Sequence, residues 1–146
     1  MIEILGYQTV LVLHITAFVF NVTLVVLADV LGLLWVVGKK SVLGASYMHW
    51  LHRMIWIGLT VSIITGIVLF SSASDYLLTT PAFWVKLSFV IALVINSFFI
   101  THHMKIALVQ SFTEVTQKAK IKMFISGAIS TGAWIGVVVS ATQPGL

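Results

Sequence analysis

Residues 51–70 read LHRMIWIGLTVSIITGIVLF, a histidine and an arginine followed by an apolar run with no further charge before Asp75. A charged entrance and an uncharged interior of this length describe a helix that leaves a membrane interface and crosses the hydrocarbon. Three more runs have the same character, so the reading extends over the whole chain. They lie at about Thr9 to Val37, Pro81 to Ile100 and Ile121 to Ala141, each able to cross about 30 Å at about 1.5 Å per residue.

Composition agrees. Of 146 residues 60% are hydrophobic and 8% charged, about a third of the charged share of a soluble domain. The predicted fold is therefore all-α: an integral-membrane four-helix bundle with antiparallel neighbours, a single transmembrane domain over 1–146. Its helices are expected at about 9–37, 48–72, 81–104 and 121–141. The connection GKKSVLGAS is short and punctuated by glycine, and SSASDYLLTTP ends in a proline suited to a helix start. The third, KIALVQSFTEVTQKAKIK, is longer and mixed, and is expected to extend the helices or lie at the interface. No internal repeat is legible.

The basic residues set an orientation. Lys39, Lys40 and Arg53 flank the first connection, and Lys105, Lys118, Lys120 and Lys122 flank the third, whereas Lys86 stands alone near the other side. By the positive-inside rule both termini face the periplasm or exterior of a bacterial inner membrane. Clustered beside apolar runs, these cations are topology determinants; they do not form a nucleic-acid footprint. The start MIEILGYQTV lacks a basic n-region, so the first run is expected to stay as a membrane helix.

Helical periodicity then selects faces. His14, Ala17, Asn21, Ala28 and Gly32 share one stripe of the first helix, with Asp29 at its margin. Gly58, Ser62 and Gly66 recur every fourth residue on the second, and Ser126, Ser130, Ala133 and Ser140 repeat the device on the fourth. Small residues at this spacing let helix backbones approach closely in lipid. On the third helix Asn96 and His103 are seven residues apart and share a face, while His102 points away. His52 turns toward the small-residue stripe, and His49 does so less. Counted from a hairpin centre near Leu77, His52 and His102 are each 25 residues away, which places His52 at the depth of His102 and His103.

With no cysteine, thiolate sites and disulfides are excluded. Two neutral imidazoles on facing helices are the usual axial grip of a bundle on haem iron. His52 and His103 are thus the candidate ligands of one haem b that passes electrons, with Arg53 and Lys105 placed to meet its propionates. Gly58 and Gly66 would spare room for the macrocycle. Asp29, about 15 Å deep by count from Lys39, is the candidate acid for proton handling or a quinone site; otherwise it is expected to bond to Asn96, Ser62 or Thr60. A competing reading uses methionines beside histidines for copper or another metal, with His52, His103, His102 and, at the opposite end, His14 as ligands. In that case the chain is a small transport or assembly subunit whose polar stripe handles protons or metal. Expected partners are the lipid membrane, a quinone or redox partner protein, and further copies in an oligomer.

The histidine-bearing first helix, followed by LHRMIWIGLTVSIITGIVLF and FWVKLSFVIALVINSFFITHH (residues 83–103), resembles small four-helix bacterial membrane proteins related to b-type cytochromes and copper-resistance membrane proteins. The likeness covers about the first 105 residues. It implies a haem b held by helix histidines and transfers to His52, His103 and His14; the fourth helix carries no histidine, so no ligand can come from there.

Overall fold

A computed structural model describes residues 2–142, with side chains from Gly6 onward. Four helices make up almost all of it: α1 (Ile2–Val36), α2 (Ala45–Thr79), α3 (Pro81–Ala107) and α4 (Gln117–Thr142). Each is long and apolar enough to cross a membrane, and many large apolar side chains point outward, as Val12, Ile64, Phe98 and Ile135 do at more than half exposure. A water-facing surface would not tolerate them; lipid does. The chain is a multi-pass membrane protein built as a four-helix bundle.

The helices run past the predicted limits because their polar ends continue to hydrogen-bond internally. The stretch SSASDYLL, read as a connection, is helical through Thr79: Ser71 and Ser72 hydroxyls donate to the Val68 carbonyl and Thr79 to that of Tyr76. The helix bends at Ala73, whose backbone leaves helical geometry (φ −140°, ψ 26°). The actual turn is a single extended residue, Thr80. Proline at 81 forbids α geometry just before it and supplies a pre-set first turn just after.

At the basic end α1 stops at Val36, and Gly38 two residues on adopts φ 77°, a left-handed conformation that side chains disfavour. The loop then folds under the bundle: Leu43 is buried and its N–H donates to the Ala107 carbonyl at the end of α3 (3.0 Å). The Trp35 indole donates to the Gln110 carbonyl (2.9 Å) and its ring packs edge-on against Phe112. These contacts build a core of Trp35, Leu43, Met48, Leu51, Met104 and Ala107. The third connection lengthens α3 and α4, the first of the two alternatives expected of it, and leaves a one-turn 3-10 helix, Phe112–Glu114, closed by a Ser111–Glu114 capping box.

Packing is pairwise. α1 lies along α2 and α3 along α4, while α2 and α3 touch at fewer places. Each pair is joined midway by an asparagine. Asn21 of α1, fully buried, presses on Gly58 of α2. With the amide oriented so that both ends are satisfied, its oxygen accepts from Leu59 N–H (2.8 Å) and its nitrogen donates to the Ile55 carbonyl (3.2 Å), the two groups that one turn of α2 would otherwise join alone. In the other pair Asn96 donates to the Ser126 carbonyl (2.9 Å) and accepts from the Ser126 hydroxyl (2.8 Å). One turn-pair nearer the termini, His14 packs on Gly66 and Phe89 on Gly136. The two hairpins therefore use the same device without a repeat in sequence: a large or polar side chain from the odd helix seated on a small residue of the even one.

Candidate functional site

A partly open pocket of about 430 Å³ occupies the half of the bundle nearer the basic end. Val25, Leu51, Leu59, Leu93 and Met104 give it apolar walls, and Asn21, His52, Ser97, His103, Ser126 and Asp29 contribute its polar atoms. A cavity of this size with few convergent polar groups is the usual form of a small-molecule site. All four helices contribute to it.

His52 is half-buried in α2 and held from two sides. Its Nε2 accepts from the Trp56 indole N–H (3.1 Å) and meets the Thr101 hydroxyl of α3 (3.0 Å). A ring nitrogen that accepts from an indole carries no proton, so the neutral ring has its proton on Nδ1. Thr101 also bonds the Ser97 carbonyl (2.9 Å), which gives its hydroxyl a second acceptor. Neither Trp56 nor Thr101 was singled out from sequence. Trp56 nevertheless stands four residues after His52, the spacing at which helical side chains meet. Thr101 lies one residue before His102, the position whose count from the hairpin equals that of His52, and two before the predicted partner His103, so the depth agrees with the count and the side chain facing His52 does not.

His103 lines the same cavity, on the side toward α4, where it lies within electrostatic reach of Lys122 and beside the His102 ring (6.1 Å between centroids). It makes no hydrogen bond among the described residues. His49 and His102 are exposed, as are Arg53 and Lys105 at the same end. His14 sits far from all of them. Its Nδ1 bonds the Thr65 hydroxyl (2.8 Å), which donates onward to the Val61 carbonyl, and Lys86 is the charge it faces. Thr65 is 13 residues along α2 from His52, about 20 Å at helical rise. The metal set His52, His103, His102 and His14 is therefore not gathered at one point. No three His, Cys, Asp or Glu side chains form a metal-holding group among the described residues.

Two expectations need correction. Gly58 and Gly66 do not open a slot for a macrocycle, because Asn21 and His14 fill the space their missing side chains leave. Asp29 bonds none of the residues proposed for it: Asn96 is taken by Ser126, Thr60 donates to the Trp56 carbonyl, and the buried Ser62 hydroxyl has no partner among the described residues. The Asp29 carboxyl is exposed at the edge of the cavity, with no hydrogen bond or ion pair among the described residues. Compared with protein-family models, curated proteins and solved structures, the chain finds no match.

Proposed function

We propose that this chain is a membrane-embedded electron-transfer protein that holds one haem b in the cavity between its helices. The observation that carries this reading is that His52 and His103, from two different helices, line one apolar-walled cavity. The donor set suits the group. His103 has no hydrogen bond to surrender, and Thr101 can turn wholly to the Ser97 carbonyl when His52 Nε2 is used as a ligand. Only the Trp56 indole loses its acceptor, at a cost of about 1 kcal/mol, small beside a metal–nitrogen bond.

When bound, haem b supplies one-electron ferric/ferrous chemistry, and two imidazole ligands favour electron transfer over binding of an exogenous ligand. The protein's own share is positioning and exclusion of water. Leu51, Met48 and Met104, members of the core at the basic end, line the cavity there, and the exposed Arg53 and Lys105 are the cations at that level available to propionates. In this reading the basic end faces the cytoplasm of a bacterial inner membrane and both termini face outward.

The test is haem content. Protein purified after expression with ample haem supply should carry about one haem b per chain by pyridine haemochrome. Protein that is folded and monodisperse but colourless would refute the reading.

A further inference from the structure

A second concavity, an open groove of about 830 Å³, runs between α3 and α4 on the outside of the bundle at its basic end. Helical spacing builds it. Phe98, His102 and Ile106 follow one another every fourth residue on α3, and Lys118, Lys122 and Ser126 do so on α4, so each set forms one stripe and both stripes border the groove. The two ends of the groove differ. Nearer the interface stand His102, Thr116, Lys118 and Lys122, and deeper lie Phe98, Phe99, Ile125 and Ile129, each at least 45% exposed. From Lys118 to Ile129 is 11 residues, about 16 Å at helical rise, or half of the hydrocarbon thickness of about 30 Å.

The two lysines have no acid beside them in the groove. Its lining contains no Asp or Glu, and Glu114, the nearest acid in sequence, accepts from the Ser111 N–H (3.0 Å). Lys120, between them in sequence, is turned to another neighbour, its ammonium 4.7 Å from the centre of the Phe112 ring. Setting the orientation requires only cations near the interface, and the exposed Lys39 and Lys40 meet that need without lining the groove or the cavity. It does not require two lysines and a histidine around a concavity that continues as an apolar channel. Such a surface is complementary to a molecule whose anionic head stays at the interface while its chain descends one leaflet. Basic pockets between membrane helices hold anionic lipid headgroups for this reason.

We infer that the α3–α4 groove binds an anionic phospholipid, its phosphate held by Lys118, Lys122 and the His102 ring N–H, with an acyl chain along Phe98, Phe99, Ile125 and Ile129. Side chains four apart on a helix are neighbours on one face, so the two ammonium groups can share one phosphate. The apolar wall holds a chain without regard to its headgroup; the lysines supply the choice. A phosphatidylcholine brings the same phosphate together with a quaternary ammonium that the lysines repel. His103 borders both the groove and the inner cavity but is not among the headgroup contacts, so the site needs nothing from the haem reading.

Native mass spectrometry of the detergent-purified protein, titrated with dioleoylphosphatidylglycerol or dioleoylphosphatidylcholine, counts the bound lipid directly. One phosphatidylglycerol should bind at least tenfold more tightly than phosphatidylcholine. A thousandfold excess of inorganic phosphate should not displace it, because phosphate has no chain for the apolar wall. Lys118→Gln combined with Lys122→Gln should weaken phosphatidylglycerol about thirtyfold, the factor that two lysines near a headgroup supply, and leave phosphatidylcholine as it was. Lys39→Gln combined with Lys40→Gln removes the same charge from the same end and should change neither. All four lysines are exposed, so both double variants should fold and elute like the parent. Equal losses in the two double variants would make the preference a matter of net charge and overturn the site. So would equal binding of the two lipids, or displacement by phosphate alone. A dimer that dissociates in the Lys118 and Lys122 double variant would overturn it too, giving the groove to a second copy.

Discussion

Gly58→Leu is expected to leave little folded protein. The site admits no side chain: a carbon built on Gly58 falls onto the Asn21 amide, which is itself fully buried and bonded to the α2 backbone at Ile55 and Leu59. Any larger residue must push α1 off α2 at the middle of their contact and strip the amide of both partners. Overpacking costs about 1–3 kcal/mol, and each lost bond on a buried amide adds about 1 kcal/mol. Together these approach the whole stability of a marginally stable domain, about 5–15 kcal/mol. The yield of monodisperse protein in mild detergent should collapse. Gly127→Leu, with open space around it, is the internal control and should purify like the parent. Adding Asn21→Gly to Gly58→Leu should recover part of the yield, because it removes the obstruction. A Gly58→Leu protein as stable as the parent would mean that the Asn21 seat is absent from the folded protein.

The second large effect is on the cofactor. His52→Ala and His103→Ala should each reduce haem content below a tenth of the parent's, while His49→Ala and His102→Ala retain it. The pairs differ in placement: the first two line the cavity and the second two are exposed. Folding should survive His52→Ala, since Thr101 keeps the Ser97 carbonyl and only the Trp56 indole loses a partner, about 1 kcal/mol. Size-exclusion profiles should therefore match across the four variants. Equal haem content in all four would remove both cavity histidines from the site.

The fold was legible because lipid imposes simple rules. Apolar runs, a proline at 81 and a glycine at 38 mark spans and turns, and the small residues Gly58, Ser126, Ser130 and Ala133 mark faces, all buried as their spacing implied. Boundaries were less legible. Serine and threonine hydroxyls of SSASDYLLTT satisfy themselves on the preceding helical turn, so polarity there did not end α2. Depth was legible to a residue, though for a reason the count did not contain. From the real turn at Thr80, 28 residues lead back to His52 and 21 lead on to Thr101. The bend at Ala73 turns the last stretch of α2 off its axis, so those residues do not add depth in step with α3.

The candidate site was only half legible. Periodicity turned His52 and His103 inward and His49 and His102 outward, and their exposures follow that order. It could not tell that Asn21 would occupy Gly58, because a helix backbone as a hydrogen-bonding partner leaves no pattern in sequence. Nor could it place Asp29 at the exposed edge of the cavity. Where α1 and α4 separate depends on the aromatic contacts at either end, Phe18–Trp134 and Trp35–Phe112, which join residues 116 and 77 positions apart.

The central claim is that two histidines from α2 and α3 grip one metal centre in this cavity. Electron paramagnetic resonance of the oxidised, purified protein reads that ligation directly. The expected result is a low-spin ferric haem signal of the bis-imidazole type, lost in both His52→Ala and His103→Ala. A high-spin signal in the parent, or a low-spin signal that survives either substitution, would contradict it.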